Sequence, residues 1–317
     1  NAFLSTYIYS FFFIKNYDLK KKNKNKLTLV SKSNPKKIIK YILSKDRNIK
    51  FSKVDLVKGS KINNILKKKY DYIFYLATYG QPKLWLQNQL ETISLNTSVL
   101  QNVFENIKFK KTKLIYFSSI DVYGDPINSK KKPINEKTPC SFSLHSERIS
   151  YGEAKRMGEV ICMNYKKKFN MDVKIIRPAH TYGPGMSLND NKVVIDFIKK
   201  GKKNNLSLLD GGKSLKTFGY ISDVCEMILN IAIHGKNNVY NVSGKSQISI
   251  YDLAKVIAKY FNIKKIDFKN NIIKPNHIGN DPKKLFISSK LYCDEFSKKK
   301  FVGINEGVNF LIKYLYI

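Results

Sequence analysis

The sequence predicts an α/β protein organised around a doubly wound parallel sheet, with a smaller α/β portion toward the C-terminus. Three observations carry that expectation. Over the first 180 residues, short apolar runs bounded by turn residues alternate with stretches of helical spacing, and strands separated by helices imply right-handed crossovers and a parallel sheet. One of these runs, Leu114-Ile115-Tyr116-Phe117, ends in Ser118-Ser119 and soon meets Gly124 and Pro126, so it reads as a buried strand delivering its C-terminal end to a pocket, where open α/β sheets bind ligands. Further on, Tyr151 and Lys155 stand four apart in a pattern that continues through Met157, Val160, Ile161 and Tyr165. Both side chains therefore project from one helix face, and a cation beside a phenol favours the phenolate.

At 317 residues the chain has room for one large α/β domain or a large and a small one. Its formal charge of +34, from 58 Lys and Arg against 24 Asp and Glu, raises nucleic acid or an anionic membrane as a partner. The excess is spread along the chain, however, in Lys and Asn runs such as residues 20–26 between apolar elements. With no nucleic-acid motif present, the reading is a solvated surface, with neither nucleic acid nor membrane as partner. Cys140, Cys162, Cys225 and Cys293 lack metal-ligand spacing, and Cys162 and Cys225 fall in apolar helical patterns. Reduced core thiols of a cytoplasmic protein, and no metal, are expected. No stretch reaches the ~20 apolar residues that span a bilayer. The apolar start around residues 7–14 lacks a basic leader and a small-residue cleavage site, and reads as a buried first helix.

Tyr-x-x-x-Lys occurs six times, starting at Tyr17, Tyr41, Tyr79, Tyr151, Tyr251 and Tyr260, so spacing alone proves little. Only Tyr151 follows a strand ending in Ser-Ser and opens an amphipathic helix. That combination, with Val122-Tyr123-Gly124 after the strand, resembles the extended short-chain dehydrogenase/reductase family, whose members carry a Rossmann-type sheet and modify nucleotide sugars. The resemblance implies that Tyr151 is the base removing a sugar hydroxyl proton while hydride leaves the same carbon. It implies that Lys155 lowers the Tyr151 pKa and holds the cofactor ribose, and that Ser119 hydrogen-bonds the reacting oxygen. The cofactor implied is NAD.

Other segments fit the same family in order. Asn1-Ala2-Phe3-Leu4-Ser5 resembles the tail of the Gly-x-x-Gly-x-x-Gly turn, with Ala2, Phe3 and Leu4 against the cofactor and the first strand and first Gly expected before residue 1. Leu27–Val30 reads as the second strand. Ser31-Lys32-Ser33 follows where an acid usually takes the ribose 2′-hydroxyl, so Lys32 tilts the reading toward a 2′-phosphate and leaves NADP open. Phe51–Leu56 is the third strand, with Asp55 and Leu56 flanking the adenine. Tyr72–Thr78 is the fourth, with Leu76, Ala77 and Thr78 against the nicotinamide side, although Tyr75 and Thr78 depart from the family pattern. Tyr79-Gly80-Gln81-Pro82 punctuates the chain, and Gln81 is a substrate-side candidate. Leu90–Phe104 has helical spacing and carries Asn96, which matches the family's packing helix.

Residues 130–146 are polar, contain Pro133 and Pro139, and are expected to lie over the pocket as a loop. Arg148 coincides with a basic residue of UDP-glucuronate decarboxylases. Val173–Gly185 contains a strand and a Tyr-Gly-Pro-Gly turn, and by resemblance marks the crossing from a cofactor domain (1–180) to a mainly sugar-binding portion (181–317), some of whose segments return to the main sheet. His180 stands where the family commonly has a substrate-touching Asn, and Val193 is a further substrate-side candidate. In Gly211–Val224, Lys216 replaces the Arg that clamps the diphosphate, and it supplies charge without a bidentate fork. Val239–Gly244 reads as a late strand, the helix after Ser249 also fits, and Asp281-Pro282-Lys283-Lys284 matches a late substrate segment through Lys284.

The reaction class turns on the two residues after Ser119. Dehydratases of this family carry an acid pair there, whereas this chain has Ile120 and Asp121. Ile cannot donate a proton, which disfavours water elimination. UDP-glucuronate decarboxylases have a hydroxyl residue and a Glu, and Asp121 would replace that Glu one methylene short. A C4 ketone makes the C5 carboxylate a β-keto acid that loses carbon dioxide readily, and a 4-epimerase needs less acid catalysis still. The reading is therefore a nucleotide-sugar decarboxylase, with a 4-epimerase as alternative and a non-catalytic nucleotide-binding homologue as the other class. The resemblance also implies a homodimer through the Tyr151 helix.

Overall fold

The computed structural model describes residues 8, 25–35, 37–59, 61–124, 133–139, 141–146, 148–245, 247–268 and 286–316. Ala2, Phe3, Leu4, Cys140 and Lys284 lie outside the described residues. Two parallel sheets form the first two-thirds of the chain. In one, β1 (Leu27–Ser31) pairs with β2 (Ile49–Lys53) across helix α1 (Lys37–Lys45). Helix α2 (Lys61–Leu66) then leads to β3 (Tyr72–Tyr75), and α3 (Pro82–Gln87), α4 (Gln89–Asn96) and α5 (Ser98–Asn106) lead to β4 (Lys113–Phe117). A 3₁₀ turn (Ile120–Tyr123), helix α6 (Ile149–Phe169) and β5 (Asp172–Pro178) follow.

The smaller portion contains β6 (His180–Tyr182), α7 (Val193–Lys202), β7 (Ser207–Leu208), β8 (Leu215–Tyr220), α8 (Ile221–His234), β9 (Val239–Val242), β10 (Gln247–Ser249), α9 (Ile250–Tyr260), β11 (Asp267–Phe268), α10 (Lys290–Phe296) and α11 (Ile304–Tyr316). The main sheet has the order β3-β4-β5-β9, all parallel, so β9 returns to it from the C-terminal third. A third sheet, β10-β8-β6, and a two-stranded pair, β11-β7, stand apart.

Strand β4 is central, and its alternation sorts the core. Ile115 and Phe117 join Ile176, Ile198, Ile228 and Leu253 on one face, while Leu114 and Tyr116 join Leu100, Phe104, Ile161 and Val173 on the other. Helices cover both faces, which is why every residue from Leu114 to Phe117 is apolar or aromatic and essentially inaccessible.

The helix expected over Leu90–Phe104 is instead two, broken at Thr97 (φ −121°, ψ −94°). The side chains of Thr92, Asn96 and Thr97 donate to the carbonyls of Asn88, Thr92 and Ile93 at 2.8 Å each. Such back-bonding competes with helix continuation. Residues 133–139 and 141–146 carry no helix and only isolated bridges, at Ile134 to Ile287 and Ser141 to Gly124.

Candidate active site

The site forms where β4 ends. Ser118 and Ser119 continue its alternation and lead to opposite neighbourhoods. Ser119 caps the 3₁₀ turn: its Oγ accepts from the Asp121 backbone N at 3.2 Å and donates to Asp121 Oδ2 at 2.8 Å. The other Asp121 oxygen accepts a charge-assisted hydrogen bond from the Arg148 guanidinium. Desolvation pushes the Asp121 carboxyl up, but the charge and hydrogen bond of Arg148, together with the Ser119 hydroxyl and the nearby His180, more than offset it. Asp121 is thereby held below the usual carboxylate range and ionised at neutral pH.

Tyr151 lies one turn into α6, buried, with its ring stacked on Trp85 of α3 at 5.3 Å between centroids and 19° between planes. The Arg148 guanidinium sits 5.8 Å from the same indole. Burial pushes the Tyr151 phenol up, as does the Asp121 charge, while Ser119 and Arg148 pull the other way. Lys155, a turn further on, is fully buried. Its Nζ donates to the Phe117 carbonyl at 2.5 Å and lies 4.9 Å from the Tyr116 ring. Desolvation pulls its pKa down to about 7. Here the ammonium is directed at the end of β4, a finer placement than the Tyr-x-x-x-Lys spacing conveys. Helix α6 approaches closely because of two glycines: a Cβ at Gly158 would strike the Tyr116 hydroxyl, and one at Gly152 the Phe142 ring.

Asn96 is completely buried, accepting from Tyr116 Oη at 2.9 Å and contacting Thr78 at 3.4 Å, and so ties α4 to β4 and to the segment after β3. Leu76, Ala77 and Thr78 lie at the C-terminal end of β3, level with Ser118 and Ser119. Ser31 ends β1, and Asp55 and Leu56 follow β2. Lys32 Nζ pairs with Glu91 at 2.8 Å and Asp55 at 3.2 Å, and these carboxylates raise its pKa. Glu91 also accepts from Tyr79 Oη at 2.6 Å.

On the substrate side, Gln81 donates to Asp190 Oδ1 at 2.9 Å, His180 opens β6 beside Phe218, and Val193 opens α7 half-buried. Lys216 is buried in β8, where its backbone pairs with Ile248. Trp85, Glu91 and Asp190 drew no attention in the sequence, because a single Trp and two scattered acids carry no pattern. The fold brings each to a partner far away in the chain: Trp85 to Tyr151, Glu91 to Lys32 and Asp190 to Gln81.

Ser118 leads to a second buried ion pair. It donates to Glu159 Oε1 at 2.6 Å, and Glu159 receives Arg177 through two parallel bonds of 2.8 and 2.6 Å. Arg177 also donates to Tyr123 Oη and to the Glu136 carbonyl.

With this geometry in hand, comparison with known proteins is decisive for the family. The sequence pattern of the NAD dependent epimerase/dehydratase family matches residues 18–243. The chain belongs to this family. Within it, UDP-glucuronic acid decarboxylase 1 of Arabidopsis thaliana is 27% identical over 225 residues, covering 70% of this chain and 51% of that protein. UDP-glucuronic acid decarboxylase 1 of Xenopus tropicalis is 28% identical over 188 residues, covering 59% and 44%. The chain spans about half the length of the curated relatives it matches. Among solved structures, UDP-glucuronic acid 4-epimerase from Bacillus cereus, in complex with UDP-glucuronic acid and NAD, superposes with a TM-score of 0.79 at 22% identity, covering 98% of this chain and 95% of that one. UDP-glucose 4-epimerase from Thermotoga maritima gives the same TM-score and coverage at 18% identity. These likenesses establish the Rossmann-type α/β fold.

Proposed function

We propose that the protein modifies a nucleotide sugar by transient oxidation at C4 with a retained NAD, and that the net reaction is loss of carbon dioxide from a nucleotide-linked uronic acid. The observation that carries this reading is the Asp121–Arg148 pair, held by Ser119 beside Tyr151. The similarity to UDP-glucuronic acid decarboxylases supports it.

The residues present fit the cofactor. A lysine ammonium has three protons to donate, and the hydrogen bond described for Lys155 uses one, on Phe117. Two remain for ribose hydroxyls. NAD, when bound, supplies the hydride acceptor for C4. Tyr151 takes the hydroxyl proton, with Ser119 alongside the same oxygen. Burial and the Asp121 charge both favour the neutral phenol, so positive charge beside it is what populates the phenolate form that acts as base. Arg148 offers the guanidinium that holds the sugar carboxylate, and Asp121 fixes the orientation of that guanidinium. Once C4 is a ketone the C5 carboxylate leaves as carbon dioxide, its bond electrons passing to the C4 oxygen as an enolate. C5 then takes a proton from water, the hydride returns to C4, and Tyr151 gives the proton back to the C4 oxygen. Asp121 is held ionised and Ile120 has no proton to give, which weighs against elimination of water.

A 4-epimerase is the second reading. Both Asp121 oxygens are engaged, and epimerisation asks nothing of an acid at that position. Lys32 is paired with two carboxylates, so its surroundings carry net negative charge and favour NAD over a cofactor with a 2′-phosphate. We further assign a homodimer to the α4–α6 face, where Leu90, Ile93, Met157 and Val160 are exposed. A cytoplasmic setting suits the free thiols of Cys162 and Cys225. No helix among the described residues is long and apolar enough to cross a membrane.

The deciding experiment is mass spectrometry of UDP-, dTDP-, GDP- and CDP-sugars, UDP-glucuronate included, after incubation with the full-length protein and NAD. Loss of carbon dioxide is the expected result. Unchanged mass with an altered sugar supports the epimerase, and loss of water overturns both readings.

A further inference from the structure

The lysines that look evenly scattered along the sequence are gathered by the fold at one end. In the parallel sheet β3-β4-β5 every strand starts at the same edge, and α2, α5 and α6 pack on one face with their C-termini at that edge. Three lysine-rich segments meet there: residues 67–69 after α2, residues 108–113 before β4, and residues 166–168 at the end of α6. Contacts join them into one surface. The Thr112 hydroxyl donates to the Tyr70 carbonyl at 2.7 Å, Lys69 Nζ lies 4.3 Å from the Phe109 ring, and Lys113 bridges to Asp172 at 3.2 Å. Ten lysines in these segments stand against Asp71, Glu105 and Asp172. Glu105 and Asp172 are already engaged by Tyr165 and Lys113.

Helix C-termini attract cations, but one lysine per helix satisfies that preference, and here each helix end carries a run. Most of these lysines are exposed, and Phe169, the last residue of α6, projects among them at 56% exposure. The Phe109, Tyr72 and Phe169 rings each lie beneath an ammonium group, of Lys69, Lys113 and Lys168 respectively. They are therefore not open platforms for stacking bases, which a single-stranded nucleic acid would use.

We propose that this end of the molecule is a peripheral docking surface for an anionic lipid bilayer. Clustered lysines beside an exposed aromatic suit a surface of acidic headgroups, and the attraction is screened by salt. The orientation is also consistent: Ser119 and Tyr151 sit at the opposite, C-terminal end of the strands, so a docked molecule keeps its site open to water. The inference does not depend on which sugar reaction the protein catalyses.

The test is co-sedimentation of the full-length protein with vesicles of phosphatidylcholine alone, and of phosphatidylcholine mixed with phosphatidylglycerol. Binding is expected only to the mixed vesicles, falling steeply with added salt. The variant K166E/K167E/K168E should lose that binding at least about tenfold, as each reversal removes one attractive contact with the charged surface. K67Q/K68Q/K69Q, in the segment that follows a different helix, should weaken it in parallel and guards against a folding defect in the first variant. K259E/K264E/K265E makes the same charge change at the far side of the smaller portion and should bind as wild type. Equal loss in this control, no binding to anionic vesicles, or binding to polyuridylate RNA without vesicle binding would each overturn the proposal.

Discussion

Ser118 and Ser119 are adjacent, yet each touches a carboxylate paired with an arginine, and the two pairs differ in a way that separates structure from chemistry. Behind β4, Glu159 takes two bonds from Arg177 and one from Ser118, and Arg177 spends further donors on Tyr123 and the Glu136 carbonyl. Every described bond in that network runs to a protein partner, although Glu159, Arg177 and Tyr123 also line a surface pocket. In front of β4, Asp121 accepts from Arg148 and from Ser119, with Trp85 and Tyr151 alongside. The Asp121 carboxylate is the more open of the two, its side chain 24% exposed against 12% for Glu159. A pair closed by bidentate bonds specifies packing, whereas the more open pair at Asp121 lies beside the candidate base Tyr151.

The sharpest way to break this comparison is Tyr151→Phe. It removes one oxygen from the open side, and turnover should fall by about 10³ to 10⁴, the upper range for losing a general base, with an unchanged melting temperature. Retention of wild-type kcat would remove Tyr151 from the chemistry. The converse variant, Glu159→Ala, strands the Arg177 charge on the closed side. Urea unfolding should show a loss of about 3 to 5 kcal/mol, as for other broken buried pairs, with turnover per folded molecule retained.

Asp121→Asn tests the open pair itself. Carbon dioxide release should drop by about a hundredfold, comparable to removing one positioned charged group, while a 4-epimerase would largely survive the change. Its stability loss should be smaller than that of Glu159→Ala, because Arg148 keeps an amide oxygen in reach.

Lys155→Met sharpens the same contrast through pH. The folded lysine titrates at about 7 rather than its ordinary 10.5. Below pH 7 both folded and unfolded chains hold the proton, and burying that charge destabilises the fold in full. Between pH 7 and 10.5 only the unfolded chain binds it, so wild-type stability rises with pH across that window. The Met variant should be more stable than wild type at neutral pH, lack this rise, and be inactive. A urea midpoint that follows the wild-type profile would show that Lys155 is not desolvated as described.

The smallest effect is expected at the cofactor edge. Glu91→Gln frees Lys32 from one of its two carboxylates and should raise affinity for NADPH relative to NADH by about fivefold, the scale of an exposed charge interaction. Fluorescence titration of the two reduced cofactors reads this without turnover. No relative change would mean that Lys32 does not face the 2′ position.

Much of this molecule is legible from the chain alone. The apolar runs at Leu27, Tyr72, Leu114, Val173 and Val239 are strands, and Tyr151 and Lys155 share the helix their spacing requires, because side-chain periodicity is a local property that burial on one face imposes. The break at Thr97 was less visible, since it depends on which hydroxyl and amide groups turn back onto their own carbonyls. Only the tertiary structure decided that Asp121 meets Arg148 27 residues away, that Lys32 meets Glu91 59 residues away, and that Trp85 stacks on Tyr151. It also decided that scattered lysines share one end. These are pairings between distant points on different elements. They follow from how helices and strands pack, where direct contact replaces sequence distance as the measure of what interacts.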